Sequence, residues 1–220
     1  MKRQVLATVT TALVASLTLI WPGAGVSLGS ADRPRARPEG VALADDSSAA
    51  AGAADEWVLE CVDCRGFDWM TDRSLRLDGA GRPHIAYGGK HLYYAWHDGA
   101  RWHLEVADDA GSNDVGKQAS LALDSGGNPH IGYYDETNGD LKYAHRNGAG
   151  WSVQTVDSTG DVGLFASVAI DVSEHPHISY YDATNTDLKY AYKDGSGWHI
   201  QTVDSSGDTG SYTSLALNGG

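Results

Sequence analysis

In the second half of the chain, apolar residues come in short runs that alternate with small or polar positions. One set is Leu121 to Leu123, Pro129 to Tyr134, Leu141 to Ala144 and Trp151 to Val156. Between the runs lie Asp124-Ser125-Gly126-Gly127-Asn128, Asp135-Glu136-Thr137-Asn138-Gly139 and Arg146-Asn147-Gly148-Ala149-Gly150, which are turn formers. No segment carries a 3.6-residue period, whereas a period of two with such punctuation predicts four short strands in an antiparallel meander.

The pattern then recurs. Ser120 to Ala166 aligns without gaps onto Ser167 to Thr213, a period of 47 residues with 27 identities. A more divergent copy begins at Ser74, with Arg82-Pro83-His84-Ile85-Ala86-Tyr87, Leu92-Tyr93-Tyr94-Ala95 and Trp102-His103-Leu104 at matching places. Four strands per unit at this period predict an all-β fold, a β-propeller whose blade is the repeat. Bulky and small residues alternate along each strand: Leu121 and Leu123 flank Ala122, and Ile131 and Tyr133 flank Gly132. The bulky face of one blade is therefore expected to stack on the small-residue face of its neighbour. Trp102, Trp151 and Trp198 open the fourth strand of each unit and are read as core residues between blades.

The ends of the array extend this inventory. Residues 57–63 align with the fourth strand Trp151 to Asp157, and Ser214 to Leu217 with a first strand. The expected domain 55–220 thus holds a lone outer strand at 57–63, blades at 74–119, 120–166 and 167–213, and the start of another at 214–220. About 3.5 blades make an incomplete ring, which points to the front part of a longer protein or to self-assembly through open propeller edges. Before this domain, Lys2 and Arg3 precede an apolar run from Val5, and Trp21-Pro22-Gly23 ends it. Residues 1–31 are read as a signal peptide and 32–54, rich in Ala, Asp, Ser and Pro, as a disordered linker, so the expected destination is secretion.

Charge narrows the partners. Met1 to Ala54 holds five Lys/Arg and four Asp/Glu, leaving 11 basic and 25 acidic residues for the remainder. That balance disfavours nucleic acid and anionic membranes, and no membrane insertion is expected once the leader is cleaved. The excess of 27 Gly, 7 Trp and 11 Tyr over 2 Phe is the blade motif counted several times.

The units A-x-D-x(4)-P-H-I-x-Y-Y-D-x-T-N-x-D-L-K-Y-A and W-x-x-Q-T-V-D resemble the repeats of secreted bacterial sialidase-like (BNR-type) β-propeller proteins. The resemblance implies the propeller fold over 55–220 and carries no catalytic residue across. Such sialidases hold the substrate carboxylate with an arginine cluster, but Arg65, Arg73, Arg76, Arg82, Arg101 and Arg146 occupy unrelated repeat positions. The family's S-x-D-x-G-x-T-W box is matched only faintly, at Asp124-Ser125-Gly126.

His84, His130 and His177 follow Pro in the second strand of each unit, and a residue repeated blade after blade is read as hydrogen bonding between blades rather than as a metal ligand. Asp135, Asn138, Asp182 and Asn185 have the spacing of turn residues, and no calcium site is assigned to them. On a rim, with Tyr134 and Tyr181 beside them, they are the candidate sugar-binding groups. Cys61 and Cys64 are the candidate disulfide. The resulting expectation is an exported module, without cofactor, that binds carbohydrate or another extracellular macromolecule through rim loops. The alternatives are a sialidase-like glycoside hydrolase with its catalytic residues outside this chain, and a nonfunctional fragment.

Overall fold

The computed structural model describes residues 62–63 and 74–218. The leader, the linker, most of the expected outer strand and Cys61 and Cys64 lie outside the described residues.

Twelve strands form three four-stranded antiparallel sheets, and there is no helix among the described residues. The first sheet contains β1 (Leu75–Leu77), β2 (Pro83–Gly88), β3 (Leu92–His97) and β4 (Trp102–Asp108). The second contains β5 (Val115–Leu123), β6 (Pro129–Asp135), β7 (Asp140–Asn147) and β8 (Gly150–Asp157). The third contains β9 (Val162–Ile170), β10 (Pro176–Asp182), β11 (Asp187–Asp194) and β12 (Gly197–Asp204). In each sheet the strands follow chain order, the meander expected of a propeller blade, and the three sheets do not close a ring.

Register decides which side chains meet. Leu121 pairs with Ile131 and Ile131 with Ala144, so these three share one face. Gly132 pairs with Tyr143 and Tyr143 with Gln154, on the opposite face. The first face packs on Ala86, Leu92, Tyr94 and Ala107 of the first sheet. The opposite face, with Ala122, Leu141, Tyr143 and Val156, receives Val168, Ile178 and Tyr180 of the third. A Cβ on Gly132 would stand 3.6 Å from Ile178 Cδ1, so the missing side chain is the space this isoleucine fills. The expected bulky-on-small stacking holds for Ala122 and Gly132. Leu141 and Tyr143, however, share the small-residue face and supply its bulk. Each fully buried Leu, Ile or Val of these layers contributes roughly 1.5–3 kcal/mol.

Polar ties accompany the apolar layers. Asp108, at the end of β4, accepts a hydrogen bond from Tyr133 Oη at 2.6 Å and pairs with Lys142 of the next sheet. Asp157, at the end of β8, accepts from Tyr180 Oη at 2.7 Å and pairs with Lys189. Tyr87 reaches Asp63 in the same manner at 3.2 Å. Trp151 donates across the first interface to Glu105 Oε2 at 2.8 Å, and Trp198 across the second to Gln154 Oε1 at 2.9 Å. Both tryptophans thus have the inter-sheet role expected of them, while Trp102 meets His97 edge-on at 5.4 Å.

Two expectations change. Residues 213–218 form no strand, although Leu215 N donates to Ser167 Oγ at 3.1 Å just as Val168 N donates to Ser120 Oγ at 3.0 Å. The segment docks where a first strand docks, but a ladder needs a second strand beside it and none follows among the described residues. The repeated histidines bond within their own sheet rather than between blades. His84 Nδ1 lies 2.5 Å from Tyr94 Oη, His130 Nδ1 lies 2.5 Å from Tyr143 Oη, and His177 meets Tyr190. The reason is register: His130 and Tyr143 sit on adjacent strands and the same face, one step apart diagonally.

Candidate functional site

The meander places its turns at two opposite ends of the strands. At one end lie the β6–β7 and β10–β11 turns, which hold the residues singled out from sequence. Asp135 Oδ1 accepts from the backbone N–H groups of Thr137 and Asn138, both at 3.1 Å, and Asp135 Oδ2 accepts from Asn138 Nδ2 at 2.9 Å. Asp182 and Asn185 repeat this arrangement at 3.0 Å. Tyr134 Oη donates to Asp161 at 2.7 Å and Tyr181 Oη donates to Asp208 at 2.8 Å. The structure brings each trio to one turn, and there it commits the Asp and Asn groups to closing the turn and the Tyr hydroxyls to the following connection. Asp135 and Asp182 are buried.

At the opposite end Asp78 and Asp124 close their turns in a similar way, accepting from Ala80 N and Arg82 N and from Asn128 N and Nδ2. There the β1–β2, β3–β4 and equivalent turns of adjacent sheets diverge and leave a cleft at each interface. The first cleft, about 390 Å³, lies between the first and second sheets, and the second, about 350 Å³, between the second and third. Both volumes fall in the range of small-molecule sites.

The inner wall of each cleft is an Asp–His–Tyr set from one sheet: Asp78, His84 and Tyr94 in the first, Asp124, His130 and Tyr143 in the second. Burial alone would raise the Asp78 carboxyl, but the backbone and guanidinium of Arg82, with Ala80 N, bring it down to about 2. It is an anion at neutral pH. Burial pushes the Tyr94 and Tyr143 phenols up, so both stay protonated.

The facing wall of the first cleft centres on Arg146 at the end of β7. Its Nε and Nη2 donate to Glu105 Oε2 and Oε1, both at 2.9 Å, a bidentate pair across the interface. Its guanidinium carbon lies 5.5 Å from the centroid of the Trp96 ring. Trp96 stacks between Tyr94, at 5.3 Å, and His103, at 4.9 Å, which fixes the indole at the mouth. Asp98 completes the rim, with Oδ2 held by His103 at 2.6 Å and Oδ1 accepting from Ala100 and Arg101 backbone N–H groups. The His103 hydrogen bond, with those backbone donors, keeps Asp98 well below the usual carboxylate range.

In the second cleft the repeat substitutes the equivalent residues. Gln154 stands for Glu105, Lys193 for Arg146's role across the interface, and His145 for Trp96. Lys193 Nζ donates to Gln154 Oε1 at 3.0 Å, and the His145 ring lies 4.5 Å from that of His130.

Sequence reading missed both clefts, because it weighed the residues that the units share. The signal lay in the aligned positions where the units differ: Glu105 against Gln154, Trp96 against His145, Gly127 against Glu174.

No protein-family model matches the chain, and no curated protein matches it. Among solved structures the chain is similar to a fucose lectin from Kordia zhangzhouensis in complex with methyl-fucoside, at 24% identity and a TM-score of 0.41, over 58% of this chain and 95% of that one. It is also similar to an engineered GH43 glycoside hydrolase displaying both endo-xylanase and exo-arabinofuranosidase activity, at 18% identity and a TM-score of 0.41, over 63% of this chain and 29% of that one. The sialidase-type resemblance of the repeat has no counterpart in these two.

Proposed function

We propose that the chain is a carbohydrate-binding module and that sugar enters the first inter-sheet cleft, not the rim of Tyr134 and Tyr181. The observation that carries this is the wall made by Arg146 and Trp96. Glu105 occupies only two of the five guanidinium N–H donors, which leaves the others for the cleft, and the indole supplies an apolar surface beside them. On the first sheet, the same side as Trp96, Asp78 and Asp98 are ionised acceptors whose carboxylates also close their own turns. A sugar presents hydroxyls that both donate and accept, together with a face of C–H groups, and this set answers each. The two arginines that line the cleft are paired, Arg146 with Glu105 and Arg82 with Asp78, so the cleft suits neutral sugars.

Isothermal titration of the purified chain with a panel of neutral monosaccharides tests this. At least one should bind, and Arg146→Ala and Trp96→Ala should each weaken it by about tenfold or more, ~1.4 kcal/mol. Tyr134→Phe and Tyr181→Phe should leave it unchanged. Binding lost through the two tyrosine variants and kept by the two cleft variants would return the site to the opposite rim.

A further inference from the structure

The chain contains three Asn-Gly pairs, at 138–139, 147–148 and 218–219, and the first two lie wholly within the described residues. An asparagine before glycine loses its side-chain amide readily, because glycine carries no Cβ to keep its own nitrogen from the neighbouring Cγ. The fold treats the two described pairs in opposite ways.

Asn138-Gly139 is locked. Asn138 Nδ2 donates to Asp135 Oδ2 at 2.9 Å, and Asn138 N donates to Asp135 Oδ1 at 3.1 Å. The nitrogen that would attack, Gly139 N, donates to Asp135 O at 2.8 Å, while Gly139 O accepts from Val162 N of the next sheet at 2.9 Å. Asn147-Gly148 lies at the tip of the β7–β8 turn, with both residues exposed. A Cβ on Gly148 would meet nothing within 4 Å, so no packed neighbour opposes rotation of the Asn147–Gly148 peptide. The Asn147 side chain is already folded back over that peptide. Its Oδ1 accepts from Ala149 N at 2.9 Å, a bond that also polarises the Cγ carbonyl as an electrophile.

The sister turns carry the product of amide loss. The position of Asn147 in the repeat is Asp98 in the first sheet and Asp194 in the third. Asp98 Oδ1 accepts from Ala100 N at 2.7 Å and from Arg101 N at 2.9 Å, and Asp194 Oδ1 accepts from Ser196 N at 2.7 Å. The bond two residues on is thus shorter in both sisters than the 2.9 Å of Asn147, in keeping with an ionised acceptor. An aspartate at 147 would close the same turn with the same geometry.

We propose that Asn147-Gly148 is a self-modifying site, where deamidation of the folded chain supplies the second turn with the carboxylate that its sisters encode. Gly148 N, its proton taken by hydroxide, attacks Asn147 Cγ. The N–Cγ bond forms and the Cγ–Nδ2 bond breaks, and the departing nitrogen takes a proton from water and leaves as ammonia. Water then opens the five-membered imide at one of its two carbonyls, giving an aspartate or an isoaspartate. One water is consumed and one ammonia released, with no change of oxidation state. The new charge appears one residue from Arg146 but on the opposite face of β7, so the wall of the first cleft is kept.

Peptide mapping by mass spectrometry of the full chain, held at 37 °C and pH 8.5 with and without denaturing urea, provides the test. In the folded chain the amide-to-acid mass change should accumulate at Asn147 at least about tenfold faster than at Asn138, ~1.4 kcal/mol in barrier. In urea the two rates should differ by less than about threefold. Gly148→Ala should slow the reaction at Asn147 by about tenfold or more, and a pH of 6 should slow it as well. Asn147→Asp should melt within about 2 °C of the parent chain or above it, since the turn keeps its acceptor. No mass change at Asn147, equal rates at the two pairs in the folded chain, or the same ratio persisting in urea would overturn the proposal. A melting temperature lowered by more than that margin in Asn147→Asp would overturn the fit of the product.

Discussion

Glu105 of the first sheet and Arg146 of the second form a bidentate ion pair, both hydrogen bonds at 2.9 Å, and the same carboxylate receives the Trp151 indole N–H at 2.8 Å. One acidic side chain therefore ties two sheets and positions a wall of the cleft. Glu105→Ala removes three hydrogen bonds and leaves a partly buried guanidinium without its partner. Denaturant unfolding should show a loss of about 1–3 kcal/mol. A double-mutant cycle with Arg146→Ala should return a coupling of at least about 0.5 kcal/mol. Additive losses would mean that the pair does not tie the sheets.

Asp157 ties the second interface, and it is nearly fully buried. Burial alone would raise its carboxyl, but hydrogen bonds from Lys189, Tyr180 Oη and Thr159 N more than offset this and hold it below the usual range. Asp157→Ala leaves Lys189, itself 8% exposed, without that partner and should cost about 3–5 kcal/mol. Asp204 is the same residue of the repeat at the end of β12, where no following sheet is described, and its Oδ1 accepts only a turn N–H from Ser206 at 2.8 Å. Asp204→Ala should therefore cost about 1 kcal/mol or less. Similar losses for the two variants, by chemical denaturation, would contradict the interface role given to Asp157.

Gly163 illustrates how tightly adjacent sheets meet at the other end. It has a φ of 102°, and a Cβ there would lie 2.6 Å from Leu141 Cα. Gly163→Ala should destabilise by more than about 2 kcal/mol, through both strain and backbone collision. Gly148→Ala, whose added Cβ would meet nothing within 4 Å, is the control and should stay within about 0.5 kcal/mol. A thermal melt of the two variants separates them.

Burial, and after it the nearby His145, pushes His130 from 6.5 down to about 4. A histidine whose folded pKa is depressed binds its proton more readily when unfolded. Its contribution to stability is complete above pH 6.5 and is lost as the pH falls toward 4, on the order of 3 kcal/mol in all. Unfolding free energies measured at pH 7.5, 5.5 and 4.5 should fall in that order. His130→Gln, less stable at pH 7.5, should show a shallower decline, and an unchanged slope would place the titration elsewhere.

Much of the fold was legible because the repeat states it several times. Pro129 to Tyr134 and Pro176 to Tyr181 alternate in the same way, and each is a second strand with its Ile and Tyr, Ile131 and Tyr133 or Ile178 and Tyr180, facing the neighbouring sheet. The fate of the repeated histidines was not legible, because the pairing of His130 with Tyr143 depends on which residues face one another across two strands. The clefts were hidden for a related reason. Tyr134, Asp135 and Asn138 attract attention because they recur, and they recur because every blade must close that turn. Arg146 and Trp96 depart from the pattern, and their meaning emerges only when adjacent sheets bring them to one interface.

Sugar bound in the cleft of Arg146 and Trp96 must change the surroundings of both side chains. Amide and indole NMR spectra of the labelled chain, followed during titration with the best-binding neutral sugar, test it most directly. The largest shifts are expected at the Trp96 and Trp151 indoles and around Arg146, with little change near Tyr134 and Tyr181. Shifts concentrated at Asp135 to Gly139 and Asp182 to Thr186, with the two indoles unmoved, would contradict it.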